Sequence, residues 1–122
     1  MQDAKLKALG ERIEAAETLD PPLESAARAA LADAGIAAPR GLGGFDTMLG
    51  LVEAALDGWA VSLDGTAAAA HGHWTCTLRR SRERDNDEVV GVGHGRRPAQ
   101  AMLAALIEVL SFRAPVAAHK PR

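Results

Sequence analysis

The chain contains no tyrosine, and only two tryptophans and two phenylalanines, in 122 residues. With so few large rings, an interior must come from Ala, Leu, Val and Met, which buries little area per residue and favours closely packed helices. A single cysteine excludes a disulfide scaffold and fits a reducing compartment. No apolar run approaches the ~20 residues of a membrane span, and no basic, apolar and small-residue leader opens the chain. The expected location is therefore cytoplasmic. A strong charge of either sign is missing as well. The net value of −2 lacks the footprint of a general nucleic-acid binder.

What charge there is lies unevenly. Residues 1–60 carry five basic and ten acidic side chains, whereas residues 61–122 carry nine basic and six acidic. The positive groups cluster at Arg79, Arg80, Arg82 and Arg84 and again at Arg96 and Arg97. The first cluster is interleaved with Glu83, Asp85, Asp87 and Glu88, which weakens its field. Together these arginines define a basic edge, the candidate contact surface.

Apolar spacing divides the chain. Leu6, Leu9, Ile13 and Ala16 recur at helical intervals over residues 3–17. Asp20 caps a second helix opened by Pro21 and Pro22, with the stripe Leu23, Ala26, Ala27, Ala30, Leu31 and Ala34 and a stop at Gly35. Residues 37–44 are rich in glycine and proline without apolar periodicity and read as a linker. Asp46 or Thr47 then caps a third helix that ends near Gly58. The period changes to two at Trp59, Val61 and Leu63, again at Trp74, Cys76 and Leu78, and in a short strand over residues 88–93 with Val90 and Val92 on one side. Pro98 opens a fourth helix, and Pro115 is expected to end it.

This order predicts an α+β fold. A three-stranded antiparallel sheet packed by helices forms an α-β-β-β-α unit over residues 45–113, preceded by an N-terminal helical hairpin over 1–36. Residues 114–122 read as a flexible tail. The expected inward set is Leu51 or Val52, Leu56, Trp59, Val61, Trp74, Cys76, Val90, Met102, Leu103 and Leu106. The small-residue stripe over 23–34 packs onto the same chain or forms a dimer seam.

Chemistry-bearing groups are sparse. His71, His73, Cys76 and His94 are zinc-ligand types, but alternation puts Cys76 on the opposite strand face from the two histidines of its own strand. An inward Cys76 also lacks a placed base, as a thiolate nucleophile requires. Gly91, Gly93 and Gly95 before a helix look like a phosphate cradle, yet neither GxGxxG nor a Walker sequence is present, and a turn requiring positive φ explains them. The expectation is no enzyme, no cofactor and no metal.

Two resemblances enter on longer stretches. GVGHGRRPAQAMLAAL, residues 91–106, resembles the end of a double-stranded-RNA-binding domain. That likeness implies phosphate contacts by Arg96 and Arg97, with Gln100 where a lysine is usual. Pro98, the neutral Gln100 and the acids of the third helix depart from the pattern. FDTMLGLVEAALDGWAVSLDG, HWTCTLRR and RRPAQAMLAALIEVL together resemble the small phage proteins called phage ABA-sandwich domain proteins, over most of residues 5–113. That likeness implies a phage or prophage origin and carries no activity or site residues.

The sequence-based reading is thus a non-catalytic phage-type accessory protein acting by protein contact, in the manner of an anti-CRISPR inhibitor of a host defence complex. Its contact residues are Arg79, Arg80, Arg82, Arg84, Arg96, Arg97 and Gln100. Nucleic-acid binding through the basic edge and service in the phage particle are the alternatives. The partner is an unknown host or phage protein, homodimerisation is open, and no membrane is involved.

Overall fold

The computed structural model describes residues 2–66, 72–80 and 90–118, with side chains as far as Phe112. The elements are α1 (Ala4–Ala15), α2 (Pro21–Asp33), α3 (Phe45–Ala55), β1 (Ala60–Thr66), β2 (His73–Arg79), β3 (Val90–Gly95) and α4 (Pro98–Ala118). The strands form one antiparallel sheet in the order β1-β2-β3, so the fold is α+β.

Local chemistry sets the helix ends. Asp3 caps α1 by accepting from the Lys5 and Leu6 N–H groups at 2.9 and 3.1 Å. Asp20 caps α2 by accepting from Leu23 N–H at 2.9 Å, with proline in the first turn. Gly35 follows α2 in the left-handed conformation, φ 84°. The third helix departs from expectation. It starts at Phe45 behind Gly44, without a side-chain cap, so neither Asp46 nor Thr47 performs that role.

Around α4 the core closes. From Ala99 to Leu110 every α4 residue except Glu108 is buried. A helix apolar on all sides needs neighbours on all sides. The sheet covers one flank of α4, while α1 and α3 cover others. Leu9, Ile13, Leu23, Ala27, Leu31, Met48, Leu51 and Val52 join the same cluster, so the N-terminal hairpin and the sheet unit share one core.

The segment over 37–44 is not a free linker. Leu42 is completely buried, and the Glu24 carboxylate accepts from the Gly41 and Leu42 N–H groups at 2.8 and 3.2 Å. An apolar plug and a charge-assisted pair of hydrogen bonds hold that loop against α2.

The β3 glycines also correct expectation. They do not make a positive-φ turn; the left-handed glycines are Gly35, Gly41 and Gly58. Gly91, Gly93 and Gly95 lie within β3 and face α4. A Cβ on Gly93 would stand 2.8 Å from the Ala104 carbonyl carbon, and one on Gly91 would stand 2.5 Å from Ala105 O. The bare backbone lets the small-residue face of α4 press directly onto the strand. Val90 and Val92 consequently occupy the outer face, with Val90 half-buried and Val92 exposed. Val61 is exposed too, because β1 extends past the helical layer, and Trp59 and Trp74 are only half-buried. Leu56, Cys76, Met102, Leu103 and Leu106 are buried as expected.

The last helix runs on to Ala118, past Pro115. Proline has no N–H for the carbonyl four residues earlier, which here belongs to Ser111. That carbonyl is supplied from elsewhere, accepting from Asp3 N–H at 2.7 Å. Residues 119–122 of the expected tail lie outside the described residues.

Candidate functional site

Register fixes which side chains share the sheet face that no described helix covers. Gly91, Gly93 and Gly95 pair with Leu78, Cys76 and Trp74, and this set faces the helices. Alternation turns the intervening residues outward. Ser62, Thr77 and Val92 form one row across the sheet, Asp64, Thr75 and His94 the next, and Ala60, Arg79 and Val90 a third. The described part of this face is a surface of hydroxyls around Val92, with charge at its borders.

At one end, Thr75 Oγ1 and His94 Nδ1 share a hydrogen bond at 3.0 Å. The His73 and His94 rings stack with centroids 5.7 Å apart and planes 19° apart. These rings, with Glu14, Gly72 and Arg96, line a recess of about 300 Å³. Glu14 Oε2 accepts from His94 N–H at 2.9 Å, which carries a carboxylate of α1 into the recess.

Among the described residues no group of three or more His, Cys, Asp or Glu side chains is arranged to hold a metal ion. His71 lies outside the described residues. Cys76 is buried on the other face of the sheet from His73 and His94. Burial pushes its thiol from 9.0 up to about 11, so at neutral pH it stays protonated and a poor nucleophile.

The expected basic edge divides in two. Arg79 closes β2 opposite Val90, with exposed Arg80 behind it. Arg96 and Arg97 are exposed beyond Gly95, which pairs with Trp74 at the other end of the ladder. Roughly 17 Å of strand separates the two groups. Arg82 and Arg84 lie outside the described residues.

Gln100 does not belong to a contact surface. It is buried, and its Nε2 donates to Ile13 O at 3.1 Å and Ala16 O at 2.8 Å, at the C-terminal end of α1. The helix turn that would carry a phosphate-facing lysine in a duplex-RNA binder here anchors α1. The sequence shows a neutral side chain at position 100 but not the far-off carbonyls that employ it.

No family model, curated protein or solved structure matches the chain.

Proposed function

We propose that the protein is a non-catalytic accessory binding protein of phage or prophage type that engages a protein partner through the uncovered face of its sheet. One observation carries this reading: the helices pack on the face of Cys76, Leu78 and the β3 glycines, and no described residue covers the opposite face, where exposed Val92 on β3 lies beside Thr77 and His94. Hydroxyls around an exposed aliphatic group suit a protein surface, where each can donate or accept. A polyanion is less well matched. Its phosphates would meet two separated arginine groups with Asp64 and Glu14 near them, which repel negative charge. The resemblance over residues 5–113 supports the phage origin, and inhibition of a host defence complex is the specific form the reading takes.

The test compares the wild type with Val92→Arg and Thr77→Arg, each verified as folded by circular dichroism, in affinity capture from host lysate. The expected result is a salt-resistant stoichiometric complex with the wild type that both variants lose. Capture unaffected by the variants overturns the assignment of the face. Duplex-RNA binding by fluorescence anisotropy that weakens steeply with salt, and falls in Arg96→Ala/Arg97→Ala, replaces the protein partner with nucleic acid.

A further inference from the structure

The two edges of the sheet are treated differently, and the contrast points to a binding surface. On β3 the outward N–H groups of Val92 and His94 are both occupied. Glu108 Oε1 accepts from the first at 2.7 Å and Glu14 Oε2 from the second at 2.9 Å. Two carboxylates thus close that edge against another strand.

Among the described residues no such cover is seen along β1. In an antiparallel ladder, residues alternate between pointing their N–H and C=O groups at one neighbour and at the other. Val92 and His94 point away from β2, so Gly91, Gly93 and Gly95 bond to Leu78, Cys76 and Trp74. The remaining β2 residues bond to Ala60, Ser62, Asp64 and Thr66. The main-chain groups of Val61, Leu63 and Gly65 are therefore the ones directed outward.

We infer that the β1 edge pairs antiparallel with β1 of a second copy of this chain, centred on Leu63, to give a continuous sheet in the order β3-β2-β1-β1-β2-β3. The self-complementarity of the segment selects this occupant. About Leu63 the outward-pointing set maps onto itself, Val61 opposite Gly65 and Leu63 opposite Leu63, which closes about six main-chain hydrogen bonds. On the inner face, Val61 is 36% exposed, and Leu63 is half-buried at the margin of the core. Gly65 is overlain by the Trp74 indole, whose Cδ2 would stand 2.8 Å from an added Cβ. The incoming Val61 would lie beside that indole, once from each copy. On the outer face, Asp64 meets the Ser62 hydroxyl of the other copy, not a second carboxylate. The inference does not rest on the partner-binding reading, which uses the outer face.

The experiment measures the mass of the full chain by light scattering across a dilution series, alongside Val61→Lys and Leu63→Cys. The expected result is a dimer that dissociates on dilution. Val61→Lys shifts dissociation to at least tenfold higher concentration with unchanged circular dichroism, and Leu63→Cys, made in a Cys76→Ala background because Cys76 pairs with Leu63 in the same chain, yields a disulfide-linked dimer under mild oxidation while Thr77→Cys in that background does not. A single-chain mass throughout, with Leu63→Cys remaining uncrosslinked, overturns the proposal. So does a dimer indifferent to Val61→Lys, which assigns association to another surface.

Discussion

The Asp3 main-chain N–H donates to the Ser111 carbonyl at 2.7 Å, across almost the whole length of the chain. Ser111 is the residue whose carbonyl Pro115 leaves without an intrahelical donor. Gln2 Nε2 adds a bond to Ser111 Oγ at 2.9 Å, and that hydroxyl donates to Glu108 O at 2.6 Å. The start of the first helix therefore completes the last one. Removing residues 1–3 deletes both the α1 cap and the donor to Ser111. The expected loss is about 1–3 kcal/mol of stability, read as a lower urea midpoint with an unchanged m-value. An unchanged midpoint would show that these bonds contribute nothing net.

Glycine substitutions separate contact from propensity. Gly93→Ala drives a methyl into the α4 backbone near Ala104, where neither partner is a flexible side-chain end. Overpacking of this kind costs about 1–3 kcal/mol or more. Gly50, exposed within α3 with nothing within 4 Å of an added Cβ, is the control. Gly50→Ala is expected to stabilise by about 0.5–1 kcal/mol. Thermal melts should move in opposite directions; equal shifts would mean that the strand–helix spacing relaxes freely.

Gln100→Lys tests the buried amide. The lysine retains a donor but puts a charge beside Ile13 O and Ala16 O in a buried position. Gln100→Ala removes the Nε2 donor from Ala16 O and leaves Ile13 O with only the bond from Ala16 N–H at 3.4 Å, at about 1–3 kcal/mol. Both variants should melt lower than the wild type, and Gln100→Lys should gain no affinity for duplex RNA. Enhanced RNA binding without loss of stability would return this position to the surface.

Cys76 supplies a pH-dependent prediction. Its folded thiol is raised to about 11 from 9.0, so the folded state retains a proton that the unfolded chain releases. The resulting stabilisation is complete below about pH 9 and is lost as pH rises towards about 11. Cys76→Ala should flatten that decline. In the native wild type at pH 8, a thiol reagent should label Cys76 only as fast as the protein opens, and at once in denaturant. Immediate native labelling would contradict its burial.

What the sequence made legible follows from local rules. The switch from helical to alternating spacing near Trp59, the Asp20-Pro21-Pro22 start and the Gly35 stop all act within a few residues, and the structure contains them. The β3 glycines were misleading because their function depends on Ala101, Ala104 and Ala105, which approach only in the folded chain. Val61 alternates correctly with its neighbours, but alternation tells which face a residue takes and not whether a helix covers it. Leu42 sits in a glycine-rich loop where no period exists to reveal it. Of the described candidate contact residues, the register separated Arg79 and Arg80 from Arg96 and Arg97, and burial removed Gln100. Pairing and packing decide both outcomes, and neither is encoded in adjacent positions.

The position of α4 has a consequence for how the protein comes into being. The surface on which α1 settles is synthesised long after α1 itself, since Asp3 waits for Ser111, and Ile13 and Ala16 wait for Gln100. A nascent chain halted before that point has strands and amphipathic helices but nothing for them to rest against. Acquisition of structure should therefore be a single late event, slowed by the long loop that must close, and incomplete translation products should be cleared by proteases instead of accumulating as folded fragments.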